Sequence, residues 1–187
     1  TWTLSTGDGT KTVYVKFKDN AGNWTTTTIS DSITLDTTAP DTSITSQPLN
    51  LTNSTSANFS FTSTETATFE CQIDSGGYTS CTSPKEYIGL AEGLHTFEIK
   101  ATDAAGNTNS TPASYTWKID TTAPDTSITV SPSNLTNSTS ASFSFTSETD
   151  STFQCKIDSD DYATCTSSVE YDLAEGSHTF EVRAIDT

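Results

Sequence analysis

Basic residues are the first scarcity in this sequence. Eight Lys and Arg stand against 24 Asp and Glu, for a formal net charge of −16 and a pI near 4.1. Phosphate backbones are held by clustered Lys and Arg, so no nucleic acid partner is expected. Long apolar runs are missing too. None approaches the ~18 residues a membrane span needs, so no membrane insertion is expected within this stretch. Methionine is absent, and the only histidines are His95 and His178. Each lacks a nearby nucleophile in the expected fold, and no catalytic triad can be assembled from what repeats, so no catalytic residues and no enzyme are expected. No window sustains a helical period, which leaves room for no more than a single helical turn. Charged residues make up only 17% of the chain, and the apolar residues are patterned, so this is not a charge-driven disordered chain.

What the sequence does contain is a repeat. Thr-Thr-Ala-Pro at 37–40 returns at 121–124, an offset of 84, and at that offset Phe69, Cys71 and Cys81 map onto Phe153, Cys155 and Cys165. One residue is lost before Leu173, so Asp103 maps onto Asp186 at 83. Asp19-Asn20-Ala21-Gly22-Asn23 aligns in the same way with Asp103-Ala104-Ala105-Gly106-Asn107. Three units are therefore expected: residues 1–36 as the C-terminal part of a preceding repeat, 37–120 as a complete repeat, and 121–187 as a repeat lacking its last strand. A chain that starts and stops inside a repeat reads as a window on a longer protein, with any signal peptide or anchor outside it.

Apolar residues alternate along most of these units. Ala57, Phe59 and Phe61 share one face, as do Phe69, Cys71 and Ile73, then Phe97, Ile99 and Ala101, then Tyr115, Trp117 and Ile119. The third unit copies the pattern with Phe143 and Phe145, Phe153 and Ile157, Phe180 and Val182, while the first supplies Val13, Val15, Phe17, Ile33 and Leu35. A period of two with aromatic and β-branched residues predicts half-buried strands. Asp74-Ser75-Gly76-Gly77 and the Asp103–Asn107 segment predict hairpin turns, and the stretch 89–93 predicts a crossing loop whose Leu90 closes the bottom of the core. Six to seven short strands in under ~90 residues predict an all-β, antiparallel two-sheet sandwich.

The four cysteines fall as Cys71/Cys81 and Cys155/Cys165, at homologous positions in two units. Zinc would call for tighter spacing and further His or Cys partners. One intradomain disulfide per complete repeat is the expectation, and it places the chain in an oxidising, extracellular setting.

Phe69-Glu-Cys-Gln-Ile-Asp-Ser-Gly-Gly-Tyr78 and Gly89-Leu-Ala-Glu-Gly-Leu-His-Thr-Phe-Glu-Ile-Lys-Ala-Thr-Asp-Ala-Ala-Gly-Asn107 resemble tandem Ig-like repeats of large prokaryotic surface proteins, such as adhesins, surface-layer proteins and fibres. Residues 1–36 resemble the end of a sister repeat. The resemblance implies an Ig- or fibronectin-like sandwich at the cell surface. It implies a structural or adhesive role, with neighbouring repeats as the first partners.

Within that frame the linkers invite a metal. Asp36 and Asp41 flank the first Thr-Thr-Ala-Pro and Asp120 and Asp125 the second, while an Ig-like path brings Asp103 and Asp186 to the same ends. The crossing loop carrying Asp8 or Glu92 approaches from the other side. Two readings are open: these carboxylates cap turns and solvate the linker, or they converge on Ca²⁺ and stiffen it. No cofactor is otherwise required. Seven sequons begin at Asn23, Asn50, Asn53, Asn58, Asn109, Asn134 and Asn137, and either chance or N-glycosylation accounts for them. Tyr78 and Tyr162 either touch a surface glycan or cover the disulfide. The units make a semi-rigid spacer of roughly 35–45 Å each. Alternatives are an Ig-like module binding a carbohydrate or protein, and a filament in which residues 24–36 complete another copy by strand addition. Pairing of residues 24–36 with residues 1–20 of their own chain would end the last of these.

Overall fold

The structure, a computed structural model, describes residues 3–186, so the outermost residues of the first and last expected units lie outside the description. It divides into two compact units, Thr1–Thr121 and Thr122–Thr187. All regular structure among the described residues is β.

The first unit begins with a hairpin. Strands β1 (Gly9–Val15) and β2 (Ile29–Leu35) pair antiparallel in full register, from Gly9 opposite Leu35 to Val15 opposite Ile29. This pairing within the chain is the outcome that ends strand addition by residues 24–36, and that reading is dropped. The sandwich that follows has eight strands rather than six or seven. They are β3 (Thr42–Ser46), β4 (Leu51–Thr52), β5 (Ala57–Ser63), β6 (Ala67–Ile73), β7 (Thr79–Cys81), β8 (Lys85–Tyr87), β9 (Gly93–Asp103) and β10 (Ala113–Ile119). One sheet runs β4-β10-β9-β6-β7 and the other β3-β5-β8. β4 lies parallel to β10, a two-residue ladder too short for a pattern argument to reveal. All other pairs are antiparallel.

Alternation decides which side chains fill the gap between the sheets. From β5 come Ala57, Phe59 and Phe61, from β6 Cys71, from β9 Phe97 and Ile99, and from β10 Trp117 and Ile119. Phe59 and Phe97 stack with centroids 4.1 Å apart, and Trp117 lies 5.2 Å from Phe59. Leu90 from the crossing loop packs against this cluster. Each fully buried aromatic contributes about 2–3 kcal/mol by area, so the aromatic stack is the main source of stability before chain entropy is subtracted.

The second unit copies the plan with β11 (Ser127–Val130), β12 (Ser140–Thr146), β13 (Ser151–Ile157), β14 (Ala163–Cys165), β15 (Val169–Asp172) and β16 (Phe180–Asp186). Its sheets are β11-β12-β15 and β14-β13-β16. Phe143 and Phe180 stack at 4.2 Å, as Phe59 and Phe97 do. Counterparts of β4 and β10 do not occur among its described residues, and Phe143 and Phe180 are half-buried where Phe59 and Phe97 are fully buried. The β1–β2 hairpin shows the converse: Ile33, at the Trp117 position, is 58% exposed.

Candidate metal centre at the linker

Turn chemistry sets the geometry of this region. Asp103 Oδ1 accepts from the Asn107 backbone N–H at 2.9 Å, and Oδ2 from Asn107 Nδ2 at 2.8 Å. Gly106, at φ 93°, supplies the left-handed residue that the turn needs. Asp19, Asn23 and Gly22 repeat this arrangement in the first hairpin, at 2.8 and 3.0 Å. In the second copy Asn107 does one thing more. Its Nδ2 donates to the Asp36 carbonyl at 3.1 Å, which draws the linker onto the turn.

The linker is held from its other side by Asp8. The Asp8 carboxylate accepts from the Thr37 N–H at 2.9 Å, from Thr37 Oγ1 at 2.6 Å and from Thr38 Oγ1. Those hydroxyls, with smaller help from the Thr37 amide and Lys11, hold the Asp8 pKa below its usual value. Glu92, the equivalent residue one repeat on, accepts from Thr121 N and Oγ1 at 3.3 and 2.6 Å. Pro40 is fully buried, and Asp41 is tied to Thr64 twice: its N–H donates to Thr64 Oγ1 and its carbonyl accepts from the Thr64 N–H, each at 3.0 Å.

Between these anchors Asp36, Glu65 and Asp103 bring carboxylate oxygens within 4.8 Å of one another. Glu65 sits in the tight turn joining β5 to β6, whose Ser63 hydroxyl donates to the Glu65 carbonyl. Burial, and then the charges of Asp36, Asp103 and Asp8, push the Glu65 pKa up. Asp103 is pulled the other way, chiefly by the Asn107 amide. A hard divalent cation suits such a set: three converging carboxylates, one raised by its like-charged neighbours, are the oxygen donors that Ca²⁺ prefers.

The expected linker carboxylates are thus only partly brought together. Asp36 and Asp103 meet; Asp41 is not in the cluster, because its backbone is pinned to Thr64 and its side chain is exposed. Asp120 pairs with Lys118 Nζ at 2.7 Å. The Asp125 carbonyl accepts from Ser147 Oγ, and Asp186 stands opposite Ser151 at the end of β16. Glu65 was not predicted. The position 84 residues later is Thr149, so a repeat comparison gives no signal for it.

The structure joins Cys71 to Cys81 and Cys155 to Cys165, each with Cα atoms 5.8 Å apart, linking β6 to β7 and β13 to β14. Among the sequons Asn109 is a correction. It is 5% exposed, Oδ1 accepts from Ala101 N at 2.8 Å, and Nδ2 donates to Thr42 Oγ1 and the Thr111 carbonyl. An amide so enclosed has no room for a glycan. Asn23, Asn50, Asn53, Asn58, Asn134 and Asn137 are exposed. Asn23 already spends one amide hydrogen on Asp19, and Asn50 Oδ1 accepts from the Tyr115 hydroxyl.

Residues 85–165 match the family model of the bacterial Ig-like domain (group 3). No curated protein matches the chain. Among solved structures it is similar to a Ca²⁺-stabilized adhesin that helps an Antarctic bacterium reach out and bind ice, at 17% identity and TM-score 0.42, over 94% of this chain and 55% of that one. It is also similar to a tetra-tandem repeat in the extending region of a large adhesion protein, at 17% identity and TM-score 0.35, over 96% and 49%. The chain spans about half the length of each. Strand content, sheet order and the matched segment agree: this is an all-β chain of tandem antiparallel Ig-like sandwiches, whose residues 85–165 match the bacterial Ig-like domain of group 3.

Proposed function

We propose that this chain is a semi-rigid spacer in the extracellular part of a bacterial surface protein with a structural or adhesive role, and that it performs no catalysis. The repeats correspond to residues 1–36, 37–120 and 121–187, with neighbouring repeats as the immediate partners. The observation that carries the reading is the linker of the first unit. Asp8 grips Thr37 and Thr38 from one side, Asn107 holds the Asp36 carbonyl from the other, and Pro40 of the same linker is fully buried. A connection hydrogen-bonded on both sides transmits direction, which a flexible polar linker does not.

Ca²⁺ held by Asp36, Glu65 and Asp103 would add to that stiffness, with water completing the six to eight oxygen ligands the ion takes. Adding millimolar Ca²⁺ to the chelated protein is expected to raise its melting temperature, with Glu65→Gln abolishing the rise. No shift in the parent protein would remove calcium from the account. Linker rigidity is tested apart from calcium: interdomain distance distributions by spin-label spectroscopy should be narrow in the parent and broaden in Asp8→Ala. A distribution already broad in the parent would end the spacer reading.

The exposed sequons, repeated at Asn50/Asn53 and Asn134/Asn137, are proposed glycan acceptors where the host has the machinery. Intact mass against sequence mass decides this.

A second reading has one observation in its favour. Tyr14 of β1 and Trp24 of the β1–β2 connection are exposed and line a shallow hollow of about 660 Å³ with Lys16 and Thr28. Exposed aromatic faces beside hydrogen-bonding side chains suit a saccharide. A glycan array lost on Trp24→Ala would favour a binding module.

A further inference from the structure

His95 is buried, and both of its ring nitrogens face acceptors. Nδ1 lies 2.7 Å from Asp74 Oδ2 and Nε2 2.8 Å from the Ala91 carbonyl. A neutral imidazole carries one N–H and can satisfy only one of these contacts; the imidazolium satisfies both. Asp74 is itself fixed, since its Oδ1 accepts from the Thr96 N–H at 2.8 Å. The same set recurs one repeat later. His178 Nδ1 lies 2.7 Å from Asp158 Oδ2 and Nε2 3.0 Å from the Ala174 carbonyl, with Asp158 Oδ1 accepting from Thr179 N at 2.7 Å.

The first hairpin gives an independent indication that this position calls for a cation. Lys11 stands there, 84 residues before His95, and its Nζ donates to the Thr6 carbonyl of its own crossing loop at 3.5 Å. One repeat thus carries a lysine where two others carry a histidine.

The ring joins three segments: the β6–β7 turn through Asp74, the β8–β9 crossing loop through Ala91, and β9 itself. Ala91 precedes Glu92, whose carboxylate caps Thr121 at the end of the unit. Asp74 and Glu92 are the charged groups on the turn and loop that enclose His95. From β10 the facing group is the uncharged Trp117 ring, 5.5 Å away, while the adjacent Lys118 is engaged by Asp120. Burial opposes the charge on His95, but the Ala91 carbonyl and Asp74 together raise its pKa above the usual 6.5. His178 is raised as well, first by Asp158 and then by the Ala174 carbonyl.

We propose that His95 and His178 are proton-operated latches. The protonated ring ties the crossing loop to the Asp74 or Asp158 turn, and loss of the proton breaks its hold on the Ala91 or Ala174 carbonyl, while the loop's leucine stays bonded to Thr55 or Thr139. At His95 this release also loosens the Glu92 cap on Thr121. Because the folded pKa is raised, the latch is fully closed below the unfolded value of about 6.5 and opens as pH rises through the folded value. The consequence for stiffness rests on the spacer reading; the latch itself does not, since its signals are local.

The test uses the whole chain. Imidazole ¹⁵N shifts should show both nitrogens of His95 protonated below about pH 6, with a midpoint above about 6.5. The intrinsic-rate-corrected exchange protection of the Thr121 N–H should fall about tenfold through that midpoint. His95→Lys should keep the protection and remove its pH dependence, and His95→Gln should lower it at every pH. A single neutral tautomer of His95 below about pH 6, or Thr121 protection that ignores the titration, overturns the proposal. The spin-label and calcium experiments would be untouched by that result.

Discussion

Lys100 Nζ lies 4.4 Å from the centre of the Tyr78 ring, and one repeat later the Arg183 guanidinium lies 4.1 Å from the ring of Tyr162. Around each contact the charges exchange in pairs. Lys100 meets Glu70 at 3.0 Å, whereas Arg183 donates to the Gln154 side-chain Oε1 at 3.0 and 2.6 Å. Gln72 meets Glu98, whereas Lys156 meets Glu181 at 3.0 Å. The cation over the tyrosine persists, while the ion pair beside it shifts from Glu70–Lys100 to Lys156–Glu181. Tyr162→Ala is expected to cost about 1 kcal/mol in urea unfolding. The double change Gln154→Glu with Arg183→Lys, which rebuilds the Glu70–Lys100 pair, should stay within about 0.5 kcal/mol.

Phe97 is the centre of the aromatic stack, fully buried, with Phe59 at 4.1 Å and Tyr87 at 6.0 Å. Phe97→Ala should cost about 3–5 kcal/mol through lost transfer energy and the cavity left behind. Chemical unfolding monitored by Trp fluorescence measures it.

The Cys71–Cys81 bridge spans ten residues of sequence between paired strands. Replacing both by Ala should cost about 3 kcal/mol, mainly through the unfolded chain. Thiol titration of the unfolded parent protein should find no free cysteine; free thiols at 71 and 81 would overturn the fold as described.

Glu65 carries a pH prediction. Its folded pKa lies above its unfolded one, so the ionised side chain works against the fold, and that cost disappears as pH falls through the folded value. Without calcium, Glu65→Gln should therefore raise the melting temperature at neutral pH and leave it unchanged in acid. Asp8 behaves oppositely: its lowered pKa gives stability above the unfolded value that is lost as pH falls through the folded one.

Asn109→Ala should cost about 1–3 kcal/mol, because Ala101 N loses a buried acceptor and Thr42 Oγ1 and the Thr111 carbonyl lose a donor. Peptide mapping should find position 109 unmodified whatever the state of the exposed sequons.

Asn109 marks the limit of reading sites as triplets. Asn-Ser-Thr looks the same in a loop and in a core, and only the approach of Thr42, 67 residues away, encloses this one. The Asp36–Asp103 pairing was legible because both residues belong to repeating motifs, one in the linker and one in the turn. Glu65 was not, because it has no repeated counterpart and reaches the pair only through the β5–β6 turn. The His95 latch was hidden for another reason: Asp74 and Ala91 lie in segments joined only when β6 and β9 pair side by side.

Period-two alternation, the 84-residue offset and the matched cysteines determined by themselves that this chain is β, repeated and internally cross-linked. These are local or periodic properties, written in which neighbours share a face. Only the tertiary structure decided which carboxylates converge, which asparagine is enclosed and which histidine is held between two acceptors. Each of those depends on side chains from strands and loops distant in sequence, whose meeting is set by sheet order rather than by spacing.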